Sequence, residues 1–126
     1  MTSPRPTDAE LAILGVLWDR GPSTVRQVQD VLTEQRPTGY TTVLKLLQIM
    51  TEKQLVSRDE SDRTHVYRAR WSQSETQRQL LDDLLERAFG GSAMTLVMQA
   101  LAGTKATPED LAEIRRLIEE KQGGAR

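Results

Sequence analysis

Residues 38–70 read TGYTTVLKLLQIMTEKQLVSRDESDRTHVYRAR, and two periodicities inside them decide the fold. The first is helical. Tyr40, Val43, Leu47 and Met50 recur at i, i+3, i+7 and i+10 and line one side of a helix. Thr41, Lys45, Gln48 and Glu52 recur on another side, with Thr42 beside Thr41. The first three turns therefore present hydroxyl, hydroxyl, ammonium and amide outward, groups suited to phosphates and base edges. Tyr40 helps to seat the helix. Alone, such a helix is an ordinary amphipathic one with a solvated face. The residues after it argue for more. Residues 55–60 and 64–71 form two short runs around a polar tip, Ser61-Asp62-Arg63. In the second run Tyr67, Ala69 and Trp71 alternate with Val66, Arg68 and Arg70, a period of two. A hairpin directly after an outward-facing polar helix is the order of a winged helix. Arg63 at its tip can touch backbone phosphate or the minor groove, or stay a solvated turn residue. His65 reads as a strand residue, not a ligand.

Upstream lie two shorter helices. Thr7-Asp8-Ala9-Glu10 is a capping box, and Leu11, Leu14, Leu17 and Trp18 follow on the apolar side. Gly21-Pro22 ends that helix. Ser23 is the expected N-cap of the second, whose buried side is Val25, Val28, Val31 and Leu32. Pro37 stops it. Residues 1–6, with two prolines and Arg5, form a loose arm. Two short helices, a turn and a third helix with a polar outer face make a helix-turn-helix.

Downstream, Ser72-Gln73-Ser74-Glu75 opens a new region as a second capping box. Leu80, Leu81, Leu84, Leu85, Ala88 and Phe89 form an apolar stripe that ends at Gly90-Gly91. Ser92 caps a fifth helix. Met94, Leu96, Val97, Met98, Ala100 and Leu101 make it apolar nearly all round, so burial is expected. Ala102-Gly103-Thr104 reads as a flexible turn. Thr107-Pro108-Glu109-Asp110 starts a sixth helix with proline at its first position and acids at the positive dipole end. Its stripe is Leu111, Ile114, Leu117 and Ile118, and residues 123–126 read as a loose tail. Three short helices with one phenylalanine bury little alone, and their leucines are too many for an exposed surface. Two copies packed together solve both problems, through Leu81, Leu84, Leu85, Phe89, Leu96, Val97, Leu101, Leu111, Ile114, Leu117 and Ile118. The alternative folds these helices back onto the N-terminal unit.

The totals bound the rest. The 126-residue chain carries a formal charge of −1, yet charge is uneven along it. Residues 36–70 hold seven basic side chains (Arg36, Lys45, Lys53, Arg58, Arg63, Arg68, Arg70) against four acidic ones (Glu52, Asp59, Glu60, Asp62). From Ser72 onward acids outnumber bases nine to seven. One nucleic-acid face and one acidic end fit that asymmetry. Absent cysteine excludes disulfides, thiolate metal sites and cysteine nucleophiles. The single histidine excludes a histidine pair or multi-histidine metal site within one chain. No apolar run nears the roughly 20 residues that cross a bilayer, and the N-terminus lacks the apolar stretch of a signal peptide. A cytoplasmic protein with no cofactor, no metal and no membrane insertion is expected. No catalytic residue is expected either: no nucleophile-base pair, ligand cluster or phosphate loop appears.

From Thr7 to Lys121 the sequence resembles the penicillinase-repressor family of BlaI/MecI type. Thr7-Asp8-Ala9-Glu10 with Leu14 and Trp18 resembles its first helix, and Thr24-Val25-Arg26-Gln27-Val28 its second. Tyr40-Thr41-Thr42-Val43 through Leu46-Leu47 resembles its recognition helix. Leu55-Val56 with Tyr67-Arg68 resembles its wing, and Gly90-Gly91 its C-terminal turn. The resemblance implies a cytoplasmic dimeric repressor on a palindromic operator, with β-lactam resistance among its controlled functions. It also implies inactivation by a protease in a membrane-sensor pathway. Some positions depart from the pattern. Ile49 stands where arginine is frequent, Gln54 where the helix often ends in glycine, and Leu44 where lysine is common. The archetypal cleaved bond, asparagine then phenylalanine, falls at Gln99-Ala100, which does not match it.

The expected architecture is mainly α. A winged helix-turn-helix, three helices plus a two-stranded wing, occupies residues 1–71, and a three-helix dimerisation region occupies 72–126. The expected function is sequence-specific repression by a homodimer through Tyr40, Thr41, Thr42, Lys45, Gln48 and Arg63. The alternative is a winged helix used for protein–protein assembly without DNA.

Overall fold

Six helices and one hairpin succeed each other along residues 5–103 and 106–124, which the computed structural model describes. The expectations for residues 1–4, Thr104 and 125–126 lie outside this range. The helices are α1 (Asp8–Arg20), α2 (Val25–Thr33) and α3 (Tyr40–Glu52). Strands β1 (Val56–Asp59) and β2 (Val66–Ala69) come next, then α4 (Gln73–Phe89), α5 (Ala93–Gly103) and α6 (Pro108–Gly124). The chain divides into two compact units, Met1–Leu81 and Asp82–Arg126, with the division inside α4.

The first unit is a winged helix. Its core joins Ile13, Leu14, Val16 and Leu17 of α1 to Val25 and Val28 of α2 and to Val43, Leu47 and Met50 of α3. Leu55, Val56 and Tyr67 close it from the wing. Val31 and Leu32, expected on the buried side of α2, are half-buried at the edge. The strands pair antiparallel, Val56 opposite Ala69 and Asp59 opposite Val66. Alternation buries Tyr67 and exposes Arg68.

Capping chemistry sets the helix starts. In α1 the Thr7 hydroxyl accepts from the Glu10 amide at 3.2 Å, and Glu10 Oε1 accepts from the Thr7 amide at 2.8 Å. Ser72 with Glu75 and Thr107 with Asp110 repeat the arrangement before α4 and α6. The second helix departs from the sequence expectation. Its N-cap is Thr24, in a reciprocal box with Gln27, not Ser23. Ser23 is fully buried and pairs instead with β2: its amide donates to the Tyr67 carbonyl, and the Tyr67 amide donates back to the Ser23 carbonyl. The link between α1 and α2 is thereby laced to the wing.

In the second unit Gly90 and Gly91 both adopt positive φ, 57° and 83°, where a Cβ is strained. They turn the chain out of α4, and the Ser92 hydroxyl accepts from the Thr95 amide to start α5. Here the burial expectation fails. No described residue of α5 is buried; Met94 is 70% exposed and Leu96 only half-buried. Leu84, Leu111, Leu117 and Ile118 are also exposed, while Leu85, Phe89 and Ile114 are half-buried. The single chain offers these side chains too little apolar surface to cover them. Ala102 and Gly103 continue α5 instead of turning, and Gly123 and Gly124 continue α6 instead of fraying.

Candidate nucleic-acid interface

The third helix separates its two faces cleanly. Val43, Leu47 and Met50 are fully buried, whereas Thr41, Thr42, Lys45 and Gln48 are exposed. Tyr40 does not seat the helix: it is the first helical residue and is 47% exposed, so it joins the outward groups. Ile49 is exposed too, four residues after Lys45. In the sequence it is a departure from a family pattern, and its exposure makes it part of the outward face. An apolar side chain there suits a thymine methyl.

The start of α3 is set by the preceding turn. The Thr38 carbonyl accepts from the Gln29 amide group at 3.1 Å and from the Thr33 hydroxyl at 3.3 Å, both on α2. The end of α3 is a Schellman motif. The Leu55 amide donates to the Met50 carbonyl and the Gln54 amide to the Thr51 carbonyl. Gln54 takes φ 63°, a left-handed position that favours glycine. Its carbonyl accepts from the Trp71 indole at 3.2 Å, and the Trp71 carbonyl accepts from the Trp18 indole at 2.9 Å. Lys53, the C-cap, reaches Glu10 of α1 at 2.6 Å. Burial alone pushes the Glu10 carboxyl up, but the bonds from Lys53 and Thr7 outweigh it. They hold the group below its usual carboxylate range.

The wing carries further cations. Arg63 is exposed in the tip connecting β1 and β2. Asp59 orders the approach to it, accepting from the Ser61 hydroxyl at 2.7 Å and the Ser61 amide at 2.9 Å. Those bonds hold Asp59 below its usual range. Arg68 is exposed opposite Ser57, on the strand face turned away from Tyr67. It is a wing cation that a sequence reading centred on the tip passes over, although its place in the two-residue alternation marks it. Arg58 is engaged elsewhere: the Tyr67 hydroxyl first, then Glu60 at 3.4 Å, raise its already high pKa. His65 is half-buried beside Glu60 at 3.7 Å. Among the described residues no group of three or more histidine, cysteine or acidic side chains could hold a metal ion.

The sequence model of the penicillinase repressor matches residues 6–120. The chain belongs to that family. The transcriptional regulator BlaI of Mycobacterium tuberculosis is 34% identical over 119 residues, covering 93% of this chain and 85% of that protein. The penicillinase repressor of Bacillus licheniformis is 21% identical over 117 residues, covering 93% and 91%. The relatives so named are regulators and a repressor, not enzymes. The solved complex structure of hsRosR-S4 superposes with a TM-score of 0.52 at 16% identity, over 95% of this chain and 92% of that one. At that identity the likeness concerns the fold. In chain order α3 is the third helix of this winged helix, and the β1–β2 hairpin follows it directly.

Proposed function

We propose that this penicillinase-repressor relative is a DNA-binding transcriptional repressor that acts in the cytoplasm as a homodimer on a palindromic operator. One observation carries the reading. The helix with three fully buried anchors presents Thr41, Thr42, Lys45 and Gln48, all exposed, and a hairpin with exposed Arg63 and Arg68 comes directly after it. Hydroxyls and an amide reach base edges, Lys45 reaches a base or phosphate, and the wing arginines neutralise backbone. Residues 1–71 are the DNA-binding part and 72–126 the dimerisation part. The occupant of the exposed apolar surfaces on α4–α6 is a second copy, since a two-fold protein matches a two-fold site. The name of the Bacillus licheniformis relative suggests β-lactam resistance genes as targets. Release is by a protease cut within α5, where no described residue is buried and local opening uncovers backbone. Gln99 and Ala100 are exposed there, but they lack the archetypal aromatic residue, so the cut is not assigned to that bond.

The test is operator binding against salt. A DNA-reading dimer prefers one duplex over random duplexes and loses affinity steeply as salt rises, because neutralised phosphates release counterions. A winged helix used only for protein assembly shows neither effect.

A further inference from the structure

Four helices of this chain open with the same reciprocal box: Thr7 with Glu10, Thr24 with Gln27, Ser72 with Glu75, and Thr107 with Asp110. Gln27 shows that the box needs no charge. Gln27, Glu75 and Asp110 are exposed, whereas Glu10 is 2% exposed. The cap explains neither its charge nor its burial. Its Oε1 serves a second group, the Lys53 ammonium at 2.6 Å, 43 residues further along the chain. Glu10 is buried and the Lys53 side chain is 26% exposed. An ion pair with a buried member adds little net stability over an apolar pair of the same shape, and its best-attested use is to fix one arrangement among several.

Here the arrangement it can fix is the lie of α3. Lys53 caps the end of that helix, where its charge also suits the dipole. From Lys53 back to Thr41 the helix runs roughly 18 Å. A tilt of about 10° at the clamp would carry Thr41 through roughly 3 Å, given that length. Base-edge hydrogen bonds do not survive such a shift. We propose that the Glu10–Lys53 pair is a positioning device for DNA reading: buried Glu10, unable to touch DNA, sets operator selectivity by fixing the angle of α3. This rests on the DNA-reading function proposed above. It also removes Lys53 from the phosphate-contacting cations.

The experiment uses the full chain and two duplexes of equal length. One is enriched from a random library by the wild-type protein; the other is of unrelated sequence. Affinities are read across a salt series, with circular dichroism and sedimentation as controls. Glu10→Gln keeps the capping bond, as Gln27 does, but removes the negative charge that pairs with Lys53. It is expected to bind the enriched duplex tenfold or more weakly while binding the unrelated one within about twofold of wild type. Lys53→Met is expected to match it, and Lys53→Arg, which retains the charge, to restore most of the selectivity. If Glu10→Gln does not fold, the comparison of Lys53→Met with Lys53→Arg decides. Equal selectivity in those two overturns the proposal. So does Lys53→Met weakening both duplexes alike with a salt slope reduced by about one, which marks a phosphate contact. A wild-type protein that enriches no sequence overturns the DNA-reading function itself, and the positioning role with it.

Discussion

Lys45 is the only cation in α3 itself, and it stands exposed between Thr41 and Gln48 on the outward face. Lys45→Ala is expected to weaken operator binding by about 1–3 kcal/mol if the contact is to a base. Fluorescence anisotropy with operator and unrelated duplexes checks this; unchanged binding to both removes Lys45 from the site. Glu10 gives a pH prediction. Its carboxyl sits below the usual value of 4.5, so the folded state prefers the ionised form. The stability it contributes is present above about pH 4.5 and is lost as pH falls through the lower folded value. Denaturant unfolding at stepped pH should show a shallower acid limb for Glu10→Gln than for wild type. Asp59, Glu75 and Glu113 shift the same way, but they are exposed and screened, so they add little. Gln54 lends itself to a gain. Its side chain is exposed and its φ of 63° is left-handed, so Gln54→Gly should stabilise the fold by up to about 1 kcal/mol in thermal unfolding. At this scale the sequence shows a residue's local duty and hides its distant one. Glu10 is readable as a cap because Thr7 is three residues away. Its bond to Lys53 is not readable, because no periodicity links positions 43 residues apart.

Elements are legible where their chemistry is local. The period of α3, the alternation of β2, the boxes before α1 and α4 and the proline start of α6 all appear in the structure as the spacing implies. The start of α2 is displaced by one residue for a non-local reason. Ser23 and Thr24 are both good caps, and the choice falls to Thr24 because the Ser23 backbone is taken by Tyr67. That bridge places Tyr67, fully enclosed in the core, at the join of wing and helices. Tyr67→Ala should cost about 3–5 kcal/mol, as for other large aromatic truncations. Urea unfolding would read this loss, and a cost below about 1 kcal/mol would show that the wing is not bound into the core. The outward face of α3 is legible except at Tyr40 and Ile49, both exposed. At the first turn of a helix, the i, i+3 pattern extends past the point where other elements cover it.

For the whole molecule, the two units differ in how far one chain completes them. The winged helix encloses twelve hydrophobic residues of its own. The second unit leaves Leu84 at 48% and Leu117 at 50% exposure. Composition alone signals that these leucines need cover; it does not say which surface supplies it, since an apolar stripe reads the same for either answer. Leu84→Asp combined with Leu117→Asp is expected to leave the N-terminal unit folded and abolish the dimer. Operator affinity should collapse with it, because a lone half-site loses the effective concentration of the second. Sedimentation alongside operator titration checks both, and a wild-type monomer at micromolar concentration with tight operator binding would contradict it. If assembly supplies the missing cover, the melting temperature of the wild-type protein rises with its concentration, and that of the double variant does not.

The hydrogen-bonded run from the Trp18 indole to the Trp71 carbonyl, and from the Trp71 indole to the Gln54 carbonyl, contains both tryptophans of the chain. All indole emission of an unlabelled sample therefore arises where α1, the end of α3 and the exit of β2 meet. Arg70 lies over the Trp71 ring at 5.6 Å, adding a charge that the excited indole senses. The protein carries its own optical gauge at the root of α3. A titration with unlabelled DNA, read at the wavelength of tryptophan emission, would follow that corner alone.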